Sequence, residues 1–221
     1  MTTFLAICAL VSGILAIVAE VNVRRRMLYV FKPLTMIFIV AILLASPQGT
    51  GAHQPVYRWL VGCALLCSIC GDVFLMLEGD RFVAGVASFL VAHLFYIGAF
   101  VYGLAVSPAR IAVLPTALTV IAIVAYAAVV MSRLWPRLGD MRVPVGIYVG
   151  VISTMLLVAS CAWLSGAGPY AAAACAGAVL FVASDTTLAF FKFAGLPMRA
   201  HIFILGAYFL AQALICTSAV T

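Results

Sequence analysis

Two carboxylates lie inside long apolar stretches of this 221-residue chain, namely Asp72 and Asp185. The other acids, Glu20, Glu78, Asp80 and Asp140, lie at the ends of such stretches or between them. A carboxylate at the centre of a membrane span costs at least about 2.5–3.5 kcal/mol to insert, so it indicates a function by default. Two such groups suit acid–base catalysis, with one protonated as general acid and the other ionised as base or electrostatic stabiliser. The same pair equally suits proton relay in a transporter.

The surroundings of these acids are extremely apolar. The chain is 67% apolar or aromatic and 8% charged, with a mean hydropathy of +1.28. A soluble domain is about half apolar and about a quarter charged, so a soluble enzyme, a secreted disulfide scaffold and a nucleic-acid-binding domain are poor fits. The net charge of +6 therefore does not indicate a nucleic-acid partner. The seven cysteines are odd in number and lie in apolar runs, which does not indicate a disulfide framework.

Eight stretches have the roughly 20 mostly apolar residues that a transmembrane helix needs. They predict an all-α polytopic membrane protein, a single integral membrane domain over residues 1–221, with short connections between antiparallel neighbours. The first stretch has no basic residues before it and an arginine cluster after it, so we expect an uncleaved helix rather than a signal peptide. The predicted spans are 3–22, 27–46, 56–77, 82–105, 111–132, 143–164, 170–191 and 200–220.

The basic residues predict the orientation of these spans. Ten of them lie in or beside the connections after odd-numbered spans, whereas Arg58 and Arg110 lie on the opposite side. Basic residues concentrate on the cytoplasmic side of membrane proteins, so both termini are expected to be non-cytoplasmic. The abundance of Ala and Arg favours a bacterial inner membrane. The ten are Arg24, Arg25, Arg26, Lys32, Arg81, Arg133, Arg137, Arg142, Lys192 and Arg199.

The same orientation places the two acids at one depth. The third and seventh spans run in the same direction, and Asp72 and Asp185 lie five and six residues before their predicted ends. At about 1.5 Å per residue, both are about 8–9 Å from the cytoplasmic end. If the helices converge, other polar side chains of the spans would line one pocket with them, open to the inner leaflet or the cytoplasm. These side chains are Lys32, His93, Tyr96, Tyr148, Tyr208 and Gln212.

Each of these polar residues also has a simpler structural interpretation. Asp72 or Asp185 could form only a structural hydrogen bond or an ion pair, for example with Lys32. Lys32 could instead extend its ammonium group to the membrane interface, His93 could be a hydrogen-bonded core residue, and the tyrosines could serve only packing. The three histidines show no metal-binding spacing, so we expect no metal centre. No serine-nucleophile or Walker motif is present either, so we expect neither a serine hydrolase nor ATP-driven transport.

A faint internal repeat relates the two acids. Residues 71–75 and 184–188 share the pattern small residue, Asp, two variable residues, Leu, and they lie 113 residues apart, about half of the chain. The pattern indicates a possible 4+4 parallel duplication of the eight helices.

Several motifs, in order along the chain, resemble those of a known family. Residues 71–77, followed by Phe82, Gly85, Phe89 and the segment 93–96, resemble the central motif of the YhhN-like lysoplasmalogenase family. Lys32-Pro33-Leu34 is similar to its early motif, and Ser184-Asp185 with Tyr208 and Ala211-Gln212 is similar to its C-terminal motif. The resemblance covers the second to the eighth span. One departure is Phe209 after Tyr208, where a second tyrosine is expected.

The resemblance implies an eight-helix membrane enzyme that hydrolyses the vinyl ether bond of lysoplasmalogens. The products would be a fatty aldehyde and glycerophosphocholine or glycerophosphoethanolamine, without a cofactor or metal, and the partner would be a lysophospholipid from the surrounding membrane. Asp72 and Asp185 would be the catalytic pair. Lys32, His93, Tyr96, Tyr148, Tyr208 and Gln212 would bind the substrate. The alternatives are a proton-coupled transporter or channel for a small or lipid-like solute and, last, a non-catalytic scaffold.

Overall fold

The computed structural model describes residues 1–47, 54–77 and 81–220. Within these residues, eight helices are long and apolar enough to cross a membrane, and no strand is present. The prediction of an all-α protein with eight membrane-spanning helices is therefore confirmed. The helices are α1 Thr2–Val21, α2 Arg25–Ala45, α3 Gln54–Met76, α4 Phe82–Ala105, α5 Val113–Leu134, α6 Arg142–Leu164, α7 Pro169–Ala194 and α8 Ala200–Ser218.

The helix ends follow local chemistry. The α7 helix continues three residues past its predicted end at 191 and stops before Gly195, whose φ of +73° is the left-handed conformation that glycine tolerates best. Two 3-10 turns, Trp135–Arg137 and Gly139–Met141, connect α5 to α6. Most of the loop 47–55, including His53, and the acids Glu78 and Asp80 lie outside the described residues.

Close backbone packing of the helices depends on glycine at two crossings. The most extensive helix contacts are those of α3 with α4 and of α7 with α8. A Cβ on Gly71 would lie 2.7 Å from the Phe89 ring, and one on Gly177 would lie 2.9 Å from the Ala211 carbonyl oxygen. Lipid is as apolar as the helix surfaces, so helices in a membrane associate through close van der Waals contact at small residues. Both glycines permit that contact.

The order of packing departs from the expected chain of sequential neighbours at one point. Among the described residues, α4 packs on α3 and α6 rather than on α5. The α5 helix is peripheral, since Val130 and Leu134 are its buried residues and both lie near its C-terminal end. Its other large apolar side chains face lipid instead of a neighbouring helix. Hydropathy alone does not distinguish a side chain that faces lipid from one that is buried in protein. The α8 helix has the opposite position and contacts α1, α2, α3 and α7.

Arg58, an isolated basic residue on the side opposite the arginine-rich connections, binds the end of α2. Its guanidinium group donates to the carbonyl oxygens of Leu43, Ser46 (2.8 Å) and Pro47 (3.2 Å). The last carbonyls of a helix have no partner within the helix and carry partial negative charge. The arginine satisfies several of them at once.

The contact at Gly177 predicts a specific loss of stability. We expect Gly177→Ala to lower the free energy of unfolding by about 1–3 kcal/mol, because the new methyl group overlaps backbone atoms of α8. Thermal unfolding of the purified protein in detergent measures the effect. Gly206→Ala on α8 is the matched control, since a Cβ there would meet no atom of the described residues within 4 Å. Equal melting temperatures for the two variants would contradict the assignment of Gly177 to a close crossing.

Candidate functional site

A cavity of about 640 Å³ opens at the basic end of the bundle, which we define as the end with the connections α1–α2, α3–α4, α5–α6 and α7–α8. Both intramembrane acids line it, and we call it the charged cavity. Its other charged lining residues are Glu20, Arg25, Lys32, Arg81 and Lys192. The predicted convergence of the two acids on one polar pocket is therefore found in the structure.

Asp72 has hydrogen-bond partners on both carboxylate oxygens. It lies on the last turn of α3 with 1% of its surface exposed. The Lys32 ammonium nitrogen on α2 is 3.1 Å from Oδ1, and the Tyr208 hydroxyl on α8 donates to Oδ2 at 2.7 Å. Lys32 is itself buried, so it does not extend to the interface. The ammonium partner and the hydrogen-bond donor both favour the ionised form of this carboxyl group against the cost of its burial.

Asp185 has a different kind of partner. It is half-buried on α7, and the Tyr148 hydroxyl on α6 donates to its Oδ2 atom. The neighbouring Ser184 does not support the carboxylate, because its hydroxyl donates to the Ile204 carbonyl on α8 at 2.9 Å. Among the described residues, the partner of Asp185 is thus a neutral phenol rather than a cation. A carboxyl group with a neutral partner can hold a proton and exchange it with a ligand.

Three of the predicted binding residues lie behind the cavity wall. His93, Tyr96 and Gln212 are fully buried and do not line the charged cavity. The Tyr96 hydroxyl donates to Gln212 Oε1 at 2.5 Å, and His93 Nδ1 lies 2.5 Å from the Phe89 carbonyl oxygen. Contrary to the prediction, these three side chains therefore do not line the charged cavity and lie in the packed interior beside it. Lys32 and Tyr208 do line the charged cavity, whereas Tyr148 lines a smaller neighbouring cavity.

Sequence reasoning did not identify two features of the site. Glu20 on α1 and His201 on α8 both line the charged cavity, and their side chains lie 3.4 Å apart. Glu20 is at the end of the first predicted span and His201 at the start of the eighth, and the sequence does not indicate that these two ends are neighbours. Phe181 contacts the rings of His93 and Tyr208 edge-to-face. Its position one turn before Asp185 was a signal that could have suggested a role in shaping the site.

The arrangement provides one cavity with two carboxyl groups that have different partners. Asp72 is ion-paired and Asp185 is hydrogen-bonded to a neutral hydroxyl, yet both line the same cavity. Such a pair can donate a proton at one point and stabilise positive charge or accept a proton at another. Within residues 1–47, 54–77 and 81–220, no three His, Cys, Asp or Glu side chains converge as metal ligands.

The fold and cavity define an integral membrane protein with a paired-carboxylate site. The chain belongs to the YhhN family, whose family model matches residues 27–219. It is 37% identical over 174 residues to human "Lysoplasmalogenase TMEM86B", covering 79% of this chain and 66% of the human protein. It is 32% identical over 170 residues to the Mycobacterium tuberculosis "Lysoplasmalogenase", covering 74% of this chain and 59% of that protein.

A further relative is the Escherichia coli "Uncharacterized membrane protein YhhN", 26% identical over 186 residues, or 83% of this chain and 81% of the relative. The chain spans 66% of the human TMEM86B protein and 62% of its rat counterpart, or somewhat less than two thirds of each. No solved structure matches the chain.

The ion pair at Asp72 predicts a non-additive effect on stability. We expect Lys32→Met to lower the free energy of unfolding by up to about 3–5 kcal/mol, because it leaves a buried carboxylate without its cation. The double variant Lys32→Met, Asp72→Leu should recover much of that loss, since neither charge is then present. Thermal unfolding of the two single variants and the double variant in detergent tests this coupling. Additive losses would show that the two charges do not stabilise each other.

Proposed function

We propose that this protein is a lysoplasmalogenase-like hydrolase that cleaves the vinyl ether bond of a lysophospholipid taken from the surrounding membrane. The products are a fatty aldehyde and a glycerophospho-alcohol such as glycerophosphocholine or glycerophosphoethanolamine. The observation that carries the proposal is the pair Asp72 and Asp185, which line one cavity with unlike partners. The names of the human and mycobacterial relatives support the choice of substrate.

The chemistry requires one proton donor, one stabiliser of positive charge and one water molecule. A proton adds to the alkenyl carbon that does not carry oxygen, and the remaining carbon and the ether oxygen share the positive charge of an oxocarbenium ion. Water adds to the oxygen-bearing carbon and loses a proton, which gives a hemiacetal. The hemiacetal then collapses to the aldehyde. Its hydroxyl proton passes to the carboxylate that gave the first proton, and the glycerol oxygen takes the proton that water lost and leaves as an alcohol. The proton donated at the start is returned, so the net reaction consumes only water.

The contacts of the two carboxyl groups suggest a division of these roles. Asp185, whose partner is the neutral Tyr148 hydroxyl, is the proton donor. Asp72, ion-paired with Lys32, is the ionised group that stabilises the oxocarbenium ion and accepts a proton from the attacking water. The logic is that of a glycosidase, in which two carboxyl groups of opposite protonation act on an oxocarbenium-like transition state. In this mechanism Tyr148 and Tyr208 orient the two carboxyl groups.

The remaining predicted residues act around this pair. Lys32 holds Asp72, and the basic side chains of Arg25, Arg81 and Lys192 along the charged cavity suit a phosphate group of the substrate. His93, Tyr96 and Gln212 are assigned a supporting role, because their side chains lie behind the wall that substrate would touch.

Replacing either acid tests the proposal directly. We expect Asp72→Asn and Asp185→Asn each to lower aldehyde release from lysoplasmalogen by about 10²–10⁴-fold, the usual contribution of general acid–base groups. Mass spectrometry of the aldehyde and of the glycerophospho-alcohol, with purified protein in detergent, gives the rates. Asp140→Asn is the matched control, because that acid is exposed in a connection away from the cavity and should leave the rate unchanged.

The opposite result would favour another function. Full activity in both site variants would exclude the two-aspartate mechanism. Absence of aldehyde formation by the wild-type protein, together with solute uptake into vesicles driven by a pH gradient, would instead favour the proton-coupled carrier.

We also propose that the basic end faces the cytoplasm of a bacterial inner membrane and that both termini are non-cytoplasmic. The support is the concentration of arginine and lysine at that end. Alkaline phosphatase, which is active only outside the cytoplasm, should be active when fused behind α8 and inactive when inserted between Arg137 and Arg142. The reverse pattern of activity would invert the orientation.

A further inference from the structure

A second, smaller cavity of about 70 Å³ lies between α4, α5, α6 and α7. Its walls are apolar apart from Tyr148, Asp185 and Thr186, and we call it the apolar cavity. Val86, Val130, Val149 and Ile152 line it, one or more from each of α4, α5 and α6. The mechanism described above does not use this space.

The two cavities share a wall. Leu75, Phe82, Phe89, Asp185 and Leu188 line both of them. Four of these five side chains are apolar, and Asp185 is the shared carboxylate. Asp72 by contrast lines the charged cavity and not the apolar one. Asp185 therefore lies at the boundary between a polar and an apolar compartment.

The apolar cavity borders the least tightly packed helix of the bundle. Both buried residues of α5, Val130 and Leu134, line it. The α4 helix contributes Val86 and Phe89 to the opposite wall, yet within the described residues it packs on α6 rather than on α5. Among the described residues, direct packing of α4 on α5 therefore does not close this side of the apolar cavity.

We propose that the apolar cavity holds the first part of the aliphatic chain of the single-chain lipid, while the phosphate-bearing end occupies the charged cavity. The chain would continue between α4 and α5 toward the bilayer. This inference rests on the proposed function, since it assigns a place to that substrate. The vinyl ether of a lysoplasmalogen lies where its polar and aliphatic parts meet, and Asp185 lies where the two cavities meet. The shared wall thus places the reactive bond beside the proposed proton donor.

Transfer of the aliphatic chain from the bilayer into the apolar cavity should contribute little to substrate affinity, so the cavity would mainly position the chain. Burial of a methylene group stabilises by about 0.8 kcal/mol only when it leaves water. A chain that enters from the bilayer leaves an environment as apolar as the cavity, so little free energy is gained. Selectivity for the chain should then come from steric fit, and affinity from the charged cavity.

Changing the width of the apolar cavity tests the proposal. We expect Val130→Phe, which narrows the proposed exit between α4 and α5, to lower kcat/KM for a hexadecenyl lysoplasmalogen by at least about tenfold relative to an octenyl one, because the longer chain must extend through that exit and pocket fit commonly discriminates by such factors. Val129→Phe is the matched control, because Val129 is the preceding residue on α5 and faces lipid. It should leave the ratio of the two substrates unchanged.

A second variant tests the cavity if Val130→Phe does not fold, and a binding measurement tests it if the protein does not catalyse the proposed reaction. Ile152→Ala widens the same cavity and should shift the preference toward the longer or bulkier chain. Binding of saturated alkyl-ether lysophospholipids, which lack the vinyl ether and are not cleaved, should show the same chain-length shifts without any catalysis.

The two proposals fail in different ways. If the wild-type protein releases no aldehyde but the variants still shift chain-length preference in binding, the proposed reaction is wrong and the chain site stands. If aldehyde is released and Val130→Phe and Val129→Phe have the same substrate ratio as the wild type, the reaction stands and the chain site is overturned. Loss of binding for every chain length in both cavity variants, with normal thermal unfolding, also overturns it.

Discussion

A carboxylate inside an apolar bundle must be given a partner by the helices around it, and much of this structure follows from that requirement. Asp72 on α3 takes partners from α2 and α8, and Asp185 on α7 takes one from α6. A charge left unpaired at this depth is strongly destabilising. The rotations of five helices about their axes are therefore limited to those that bring the partners within hydrogen-bond distance.

Close packing and polar pairing reinforce each other at these positions. Gly71 directly precedes Asp72, and the Phe89 ring lies where a side chain of Gly71 would be. Phe89 in turn forms an edge-to-face contact with Tyr208, which donates to Asp72. A shift of α4 would therefore be transmitted to the carboxylate through both its backbone and its hydrogen-bond donor. The same residues that let α3 and α4 approach also hold the site.

The two halves of the chain supply partners to their carboxyl groups from equivalent helices, but the partners differ in chemical type. In each half, the helix before the carboxylate supplies a partner, Lys32 from α2 for Asp72 and Tyr148 from α6 for Asp185. This is what a 4+4 duplication would produce, although the duplication itself stays a prediction. The inequality matters more for chemistry, because an ammonium group in one half and a phenol in the other give two carboxyl groups unlike properties.

The spans and the two acids were predictable from sequence because hydropathy and the cost of burying a charge are local properties. The rotation of each helix was not, and the reason is physical. Around a membrane helix both lipid and protein core are apolar, so the contrast between faces that reveals orientation in a soluble helix is weak. Depth could therefore be estimated for His93, Tyr96 and Gln212, whereas their position behind the cavity could not. The packing of α4 on α6 was likewise visible only in the structure.

The peripheral position of α5 affects how the protein can adapt to bilayers of different thickness. Because its buried residues Val130 and Leu134 lie near one end, α5 can tilt about that end. The hydrogen bond from the Tyr126 hydroxyl on α5 to Thr186 on α7, 2.8 Å long, is a contact that such a tilt would have to release. Bilayers differ in hydrocarbon thickness, and a span adapts to them chiefly by tilting, at a modest cost for each ångström of mismatch. Through α5, part of the molecule can follow changes in lipid composition while Asp72 keeps its partners on α2 and α8.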